Sequence, residues 1–315
     1  MGNDVVAVLV TFNPDPALLI DALGRLVGQV ARTVIVDNAS SLDIKPIIQA
    51  SANPAVELLT LAENTGIGAA QNTGIERARA IGAGFVLLLD QDSKVTGGMV
   101  QVLRSAFDKA SQCAGERPVA AVGPACLDAA GQMHLFFPAD GFWPKAWLPP
   151  SSSAPIPDQI ETAFLVASGT LIPAGVLDAI GGMRSDYFID HVDREWCFRA
   201  IAQGYRLLGI TGAVLEHQVG SPSKLALGRW VIHYRWQAPA RNYYMFRNAI
   251  LMLRDTRVPL GWQAYLFVRL IRYAAGAILL LDNRRVRFGL IAKGVFHGLR
   301  GIRGRLILNG DARRR

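Results

Sequence analysis

The sequence predicts an α/β domain built on a mixed, mostly parallel sheet with helices on both faces, followed by a basic helical region. Strand-like and helix-like segments alternate over the first 125 residues, which is typical of βαβ units. The clearest strand is an apolar run at residues 85–89 that leads into Asp90 and Asp92, and such a run indicates a strand buried on both faces. Toward the C-terminus the pattern becomes helical and basic.

The predicted elements of the first part follow one another closely. We expect strands at residues 5–11, 33–37, 56–61, 85–89 and 119–122, with helices at 16–30, after Asp43, at 66–81 and after Thr96. Right-handed crossovers place the carboxyl ends of the parallel strands at one edge of the sheet. Ligands bind at that edge in open α/β sheets, so the residues that follow the strands are candidates for a binding site.

The edge of the sheet where the parallel strands end, here called the rim, is predicted to be polar. The residues that follow the first four strands include Thr11, Phe12, Asn13, Asp37, Asn38, Asn64, Gly66, Asp90 and Asp92. Neither a G-x-G-x-x-G motif nor a Walker loop follows the first strand, which argues against a dinucleotide fold and a P-loop.

The Asp-Gln-Asp motif is the sharpest candidate within this rim. Side chains alternate along a strand, so we expect Asp90 and Asp92 to point the same way. Two neighbouring carboxylates repel each other unless a cation lies beside them, and a divalent ion held with phosphate oxygens is a common solution. The simpler interpretation is a solvated turn at the end of a strand.

The middle of the chain contains a second candidate segment. A Pro- and Ser-rich stretch at residues 138–157 predicts a mobile loop over the site, and residues 161–172 are strand-like. Asp190, Asp193 and Glu195 then open a predicted helix, where N-terminal capping is the alternative to a catalytic role. A strand at 206–215 leads to His217, which on its own is most simply a surface residue.

Charge and hydropathy divide the chain into residues 1–225 and residues 226–315. From Arg229 onward, eighteen Arg and Lys stand against three Asp, which predicts a surface for an anionic partner. Arg269 and Arg272 interrupt the apolar stretch at 262–281, which argues against a span and favours an amphipathic helix on an anionic membrane. The alternative is a helical hairpin packed on the N-terminal α/β domain.

Composition sets the expected compartment. Three scattered Cys indicate a reducing environment, and no signal peptide is recognisable at the N-terminus. We therefore expect a cytoplasmic protein that is peripheral on the inner face of the plasma membrane. Truncation near Val258 is then expected to release the protein from the membrane while leaving ligand binding by the N-terminal domain intact.

Taken in order, these motifs resemble those of family 2 glycosyltransferases with the GT-A fold, most closely the bacterial rhamnosyltransferase branch. The resemblance covers about residues 5–220. The matching segments are Val10-Thr11-Phe12-Asn13, Val36-Asp37-Asn38-Ala39-Ser40, the stretch from Asn64 to Gly74, Asp90-Gln91-Asp92, the stretch from Phe188 to Cys197, and Glu216-His217. Phe12 departs from the Tyr that many relatives carry, so a phenol hydroxyl is missing.

The resemblance implies a nucleotide-sugar donor, with dTDP-L-rhamnose as the expected one, and a Mg²⁺ or Mn²⁺ cofactor that neutralises its diphosphate. Asp92 is the implied first metal ligand, His217 resembles a further one, and Asp90 contacts the ribose or assists the metal. Asp37 is implied to bind the pyrimidine. The other implied donor contacts are Thr11, Phe12, Asn13, Asn38, Asn64, Gly66, Gln71 and Asn72.

The resemblance also implies inverting transfer onto a lipid-linked or polysaccharide acceptor in the biosynthesis of cell-surface glycan, such as O-antigen or exopolysaccharide. Such a displacement needs one general base on the acceptor side. Asp193 is the first candidate and Asp190 the main rival, since three residues separate them on one helix face if the helix has begun. Glu195 ranks third because it points elsewhere on that helix.

Two other classes of function compete with this one. A metal-dependent nucleotidyltransferase also places a nucleotide on an α/β sheet, but it needs a Gly-rich basic signature that residues 11–14 lack. A non-catalytic nucleic-acid-binding protein would use the basic C-terminus. Because those basic residues alternate with Leu, Ile and Phe, we expect a membrane there and no nucleic acid.

Overall fold

The computed structural model describes residues 4–51, 53–128, 131–134, 136–147, 155–217, 223–227, 230–234 and 237–307. The strands are β1 (Val5–Thr11), β2 (Arg32–Asp37), β3 (Val56–Thr60), β4 (Phe85–Asp90), β5 (Ser93–Val95), β6 (Val119–Leu127), β7 (Met133–His134), β8 (Gln159–Thr162), β9 (Leu171–Pro173), β10 (Arg206–His217), β11 (Ser223–Leu227) and β12 (Trp230–Tyr234). The helices are α1 (Pro16–Leu26), α2 (Lys45–Ala50), α3 (Ile67–Ala80), α4 (Met99–Ser111), α5 (Ala174–Ile180), α6 (Val192–Ala202), α7 (Pro239–Asp255), α8 (Leu260–Leu280) and α9 (Arg284–Arg300).

Ten strands form one mixed sheet in the order β3-β2-β1-β4-β9-β6-β10-β5, with β7 beside β6 and β8 beside β10. Strands β1 to β4 pair in parallel, and so do β6 and β10, whereas β9 runs antiparallel between β4 and β6. The predicted mostly parallel sheet is confirmed. Strands β11 and β12 form a separate antiparallel pair.

Strand β1 explains why the sequences of the central strands are continuously apolar. Its residues alternate between two hydrophobic clusters, with Val6, Val8 and Val10 in one and Val5, Ala7 and Leu9 in the other. All seven residues of the strand are buried. A strand covered on both faces needs apolar side chains at every position, which is why the apolar run indicated a central strand.

Three local predictions are wrong. Helix α1 ends at Leu26 rather than near residue 30, since Gly28 adopts a φ of 76°. Residues 161–172 do not form one strand, because Gly169 turns the chain with a φ of 86° between β8 and β9. Finally, β4 ends at Asp90 and a turn leads into β5, so strand alternation does not govern the direction of Asp92.

The C-terminal helices pack into the same core as the sheet. Trp262 and Leu266 are 3% and 0% exposed, and both belong to the larger hydrophobic cluster that also contains strand residues. The ring of Trp262 meets those of Phe164 and Phe198 at centroid distances of 5.4 and 5.5 Å. Trp262 opens the apolar stretch that was expected to lie on a membrane, but its side chain faces the protein core instead. A truncation near Val258 would open this core, contrary to the clean release expected from the sequence.

Candidate active site

Asp37 lies at the end of β2 and is held from two sides. Its carboxylate accepts hydrogen bonds from the hydroxyl of Thr11 at 3.1 Å and from the backbone N–H of Ser40 at 3.2 Å, and the hydroxyl of Ser40 donates to it as well. Thr11 is completely buried, so it supports Asp37 from beneath rather than lining a base pocket as predicted.

The neighbouring loops form the rest of this end of the rim. Asn13 takes a φ of 46°, and its side-chain oxygen accepts from the backbone N–H of Ser41 at 2.8 Å. The backbone N–H of Phe12 donates to the side chain of Gln91 at 2.8 Å, while the ring of Phe12 is 45% exposed. An exposed aromatic ring beside Asp37 is a suitable surface for stacking a nucleotide base.

Asn38 and Asn64 fix the start of α3. The side-chain oxygen of Asn38 accepts from the backbone N–H of Thr65 at 2.9 Å, and its amide nitrogen donates to Asn64 at 3.2 Å. Gly66 follows with a φ of 86°, and a Cβ there would lie only 2.4 Å from the carbonyl oxygen of Phe188. Glycine is therefore required where α3 meets the segment that precedes α6.

Gln71 and Asn72 have different surroundings although they are adjacent. Gln71 is 2% exposed and lines a central pocket between the sheet edge and the start of α6. Its side-chain oxygen has no hydrogen-bond partner among the described residues. Asn72 instead clamps the chain of Met183, accepting from its N–H at 2.7 Å and donating to its carbonyl at 2.8 Å. A role in shaping this loop fits Asn72 better than the predicted contact with the donor.

The Asp-Gln-Asp motif is anchored by two serines. The backbone N–H of Asp90 lies 3.2 Å from the hydroxyl of Ser93 and 3.5 Å from that of Ser168, and the two hydroxyls contact each other. Asp90 lines the central pocket, and Asp92 lies in the turn just beyond it. Strand β5 pairs with β10 so that Ser93 stands opposite the backbone of His217.

The predicted metal ligands Asp90, Asp92 and His217 come from two distant parts of the chain whose backbones meet where β5 pairs with β10. Among the described residues, no group of three His, Cys, Asp or Glu forms a metal site. The side chain of His217 lies outside that part of the chain. The β5–β10 pairing nevertheless brings the backbone of His217 to the same turn as Asp92, and two carboxylates with an imidazole suit Mn²⁺ or Mg²⁺.

The three carboxylates of the second candidate segment, Asp190, Asp193 and Glu195, have different surroundings. Helix α6 begins at Val192, so Asp190 precedes it and does not share a helix face with Asp193. Asp190 pairs with Arg241 of α7 through the guanidinium Nε at 3.2 Å. Glu195 is 1% exposed and pairs with Arg199 at 3.1 Å. Asp193 alone combines a position in the first turn of α6 with a place in the pocket wall and an accepted backbone hydrogen bond, from Arg194 N–H at 2.8 Å.

The chain before α6 has an unusual conformation. Phe188, Asp190 and His191 all have φ near +66°, a region that costs non-glycine residues of order 1–3 kcal/mol each. Helix α7 holds this segment. The side-chain amide of Asn248 donates to the carbonyls of Tyr187, Ile189 and Asp190 at 2.7–2.9 Å.

Arg247 reinforces the same segment from the adjacent position of α7. It is fully buried, and one guanidinium nitrogen donates to the carbonyls of Asp186 at 3.2 Å and Tyr187 at 2.8 Å. Its ring neighbours are Tyr243 and Tyr244, with the guanidinium carbon 5.2 and 5.0 Å from their centroids. The Arg-Asn pair thus explains how a strained backbone beside the candidate base stays in place.

One cavity of about 540 Å³ joins the two candidate segments. Asp90 and Gln71 line it on the side of the sheet, and Asp193 lines it on the side of α6. Arg241, Arg269 and Tyr273 close it from α7 and α8. The arrangement can hold a nucleotide-linked group at the sheet edge and an acceptor hydroxyl next to Asp193.

The arginines of this pocket were not predicted as site residues. Arg269 carried a signal that could have revealed it, because it is a charge inside an otherwise apolar helix. Arg194 and Arg241 carried no comparable local signal. Their place in the site follows from the packing of α7 and α8 against the start of α6.

The model of the family described as glycosyl transferase family 2 matches residues 6–125 of this chain. The chain is also 28% identical to the dTDP-rhamnosyl transferase RfbF of Shigella flexneri over 310 residues, which cover 96% of this chain and 97% of the relative. Strands β1 to β4, the start of α3 and the Asp-Gln-Asp motif all lie within the family match. The family match thus covers the part of the chain that forms the sheet side of the candidate site.

Solved structures show the same fold. GalNAc-T7 with UDP, GalNAc and Mn²⁺ superposes with a TM-score of 0.60 at 13% identity over 95% of this chain, which spans 56% of the length of that structure. S. aureus TarS in complex with UDP-GlcNAc gives 0.57 at 12% identity, with 96% of this chain and 82% of that one covered. The predicted GT-A fold is confirmed, and the protein is a glycosyltransferase.

Proposed function

We propose that this glycosyltransferase moves L-rhamnose from dTDP-L-rhamnose, with inversion, onto an acceptor used in cell-surface glycan biosynthesis, such as O-antigen or exopolysaccharide. The observation that carries the proposal is the single cavity lined by both Asp90 and Asp193. The relationship to a dTDP-rhamnosyl transferase along almost the whole chain supports the choice of donor. Nothing in the fold or the comparisons favours a nucleotidyltransferase or a nucleic-acid-binding protein.

The residues divide the reaction between them. Asp37, Phe12 and the loop of Asn13 hold the pyrimidine base of the donor. Asp90 and Gln71 face its ribose and its sugar. The acceptor hydroxyl attacks the anomeric carbon, the bond to the diphosphate oxygen breaks, and Asp193 takes the hydroxyl proton. Deoxythymidine diphosphate leaves, and the sugar is inverted.

A divalent ion fits the proposed donor side. Asp92, Asp90 and His217 would hold Mg²⁺ or Mn²⁺, which would compensate the charge of the leaving diphosphate. GalNAc-T7, which shares the fold, was solved with Mn²⁺.

Membrane attachment is the second part of the proposal. Helix α8 is the one described helix with the length and composition to cross a membrane, although a core helix of a soluble protein can pass the same test. Its inner side packs in the core, whereas its outer side presents an apolar stripe of Phe267, Ile271 and Leu279, each more than half exposed. One-sided burial is consistent with a helix that lies on a membrane rather than one that crosses it.

Helix α9 extends this surface. Phe288, Phe296 and Leu299 are exposed along it, and Arg285, Lys293 and Arg300 are exposed beside them. Neither α8 nor α9 contains an acidic residue, and Asp282 is the one acidic residue in the short connection between them. We infer a peripheral protein on the cytoplasmic face of an anionic membrane, where each basic residue contributes on the order of 1 kcal/mol.

A panel of nucleotide sugars tests the donor assignment. Binding and hydrolysis are measured for dTDP-L-rhamnose, dTDP-glucose, UDP-glucose, UDP-GlcNAc and GDP-mannose, each with Mg²⁺, with Mn²⁺ and with excess chelator. We expect metal-dependent selection of dTDP-L-rhamnose. Equal or better use of a UDP- or GDP-sugar would overturn the donor assignment, and full activity in chelator would overturn the metal.

A further inference from the structure

Two arginines in the central cavity have no ion-pair partner among the described residues. Arg194 and Arg269 both line the wall that contains Asp193. The Nε of Arg194 is buried without a hydrogen-bond acceptor, and its Nη1 lies 3.0 Å from Nδ1 of His191. The third arginine of the cavity, Arg241, is by contrast paired with Asp190.

The electrostatics of this wall favour an anion. Burial and then the charge of Arg269 lower the pKa of Arg194, so the two guanidinium groups repel each other. Burial and the same two arginines hold the pKa of His191 well below its usual range, which leaves its imidazole neutral and able to accept from Arg194. The nearest opposite charge is Asp193, which attracts Arg194 but becomes neutral when it takes a proton. Arg194 is partly buried, with its Nε shielded from solvent, and Arg269 is exposed at the cavity. A bound anion would satisfy the buried Nε and offset the repulsion between the two guanidinium groups.

We propose that Arg194 and Arg269 form an anion subsite that binds a phosphate group of the acceptor, next to the hydroxyl that Asp193 deprotonates. The inference rests on the proposed function and names the chemical class of its acceptor. The planar guanidinium fork matches phosphate oxygens in a bidentate manner, which makes arginine the suited residue. Arg194 and Asp193 line the same cavity, so the phosphate would lie on the same side of the site as the reacting hydroxyl.

The position of Arg269 indicates where this phosphate comes from. Helix α8 places Arg269 at the cavity and Phe267 and Ile271 on the outer apolar stripe. One helix therefore borders both the acceptor pocket and the surface that we assign to the membrane. A phosphate attached to a lipid would meet both, so the acceptor is a lipid-linked phosphate or diphosphate sugar rather than a soluble sugar phosphate.

Binding of farnesyl diphosphate to the full-length protein tests the subsite. The measurement is made by calorimetry with saturating dTDP and Mg²⁺, so that the diphosphate of the probe is kept out of the donor site. Farnesol and inorganic pyrophosphate serve as the uncharged and the lipid-free probes. The variants are Arg269→Gln and, as a matched control on the same helix, Arg272→Gln, which is exposed and outside the cavity.

We expect farnesyl diphosphate to bind more tightly than either partial probe. Arg269→Gln should weaken it about tenfold or more, the scale of a lost charge-assisted hydrogen bond, and Arg272→Gln should leave it near the wild-type value. Equal binding of farnesol, or equal effects of the two variants, would overturn the subsite. Equal binding of pyrophosphate would overturn the lipid-linked source. Failure of wild-type protein to bind dTDP in the same titration would count against the proposed function itself.

Discussion

The choice of the general base depends on how two nearby carboxylates are paired. The guanidinium of Arg241 contacts both oxygens of Asp190, so this carboxylate is occupied by an ion pair and is not available to an acceptor hydroxyl. The oxygen of Asp193 accepts a backbone N–H from Arg194, and its carboxylate lines the cavity. We therefore keep Asp193 as the proposed base and assign Asp190 to holding α7 against the segment before α6.

Asp193→Asn tests this assignment. The amide keeps the shape of the side chain but cannot take a proton, so kcat should fall by roughly 10²–10⁴-fold, the usual contribution of general-base catalysis. Binding of dTDP, measured by calorimetry, should stay close to the wild-type value. Asp190→Asn is the matched variant and should show a smaller loss of kcat. The reverse order of the two variants would exchange their roles.

Asp92→Ala tests the proposed metal site. Removal of a ligand leaves the diphosphate charge uncompensated, so transfer should fall by orders of magnitude even with excess Mg²⁺ or Mn²⁺. Direct metal binding in the presence of dTDP, followed by calorimetry, should weaken in parallel. Asp108→Ala on α4, whose side chain is half exposed, provides the control and should change neither quantity. Undiminished turnover of Asp92→Ala would remove this residue from the site.

At the scale of elements, α7 acts as a brace for the segment before α6. The side-chain amide of Asn248 reaches three carbonyls of that segment, and Arg247 adds the carbonyl of Asp186 and shares that of Tyr187. Three non-glycine residues with positive φ persist there because these contacts outweigh the backbone cost. The C-terminal helices are thus part of the structure that positions Asp193.

Asn248→Leu should release this brace. The substitution keeps the volume but removes the two N–H donors that three carbonyls share, and each donor is worth about 0.5–1.5 kcal/mol. Urea unfolding should therefore show a loss of about 1–3 kcal/mol. At temperatures where the variant remains folded, kcat should fall while dTDP affinity is retained. Arg254→Gln, an exposed substitution near the end of the same helix, is the control and should affect neither property. An unchanged kcat in Asn248→Leu would show that the strained segment needs no support from α7.

At the scale of the whole molecule, the outer side of α8 and α9 differs from the rest of the surface. Exposed apolar side chains lie beside exposed basic ones there, and the opposite sides of the helices are part of hydrophobic clusters. A truncation would destroy the packing of Trp262 and could not separate membrane binding from folding. Point substitutions on the outer stripe are the appropriate test.

Ile271→Asp should weaken attachment to anionic liposomes. The charge opposes insertion of the apolar stripe and reduces attraction to an anionic surface, so the co-sedimented fraction should fall clearly at low salt. Val102→Asp on α4, another exposed apolar position, is the matched control and should sediment like the wild type. If the wild-type protein ignores anionic liposomes, or binds neutral ones equally well, the two helices serve packing or oligomerisation instead.

Local sequence patterns were sufficient to predict the central strands and the binding edge of the sheet. Apolar runs predicted β1 and β4 because a strand covered on both faces needs apolar residues throughout, and the Asp-Gln-Asp motif marked the binding edge because strand ends meet there. The order of these motifs was enough to indicate the family and the GT-A fold.

Only the tertiary structure decided which polar residues face the cavity. Asn72 and Thr11 look like donor contacts in the sequence, yet they are engaged with Met183 and Asp37, since a polar residue at a strand end or helix start can equally hold the scaffold. The roles of Arg194 and Arg269 depend on α8 packing across the start of α6. Contacts between residues far apart in the chain leave no periodic signal in the sequence, so the arginines beside Asp193 emerged only from the fold.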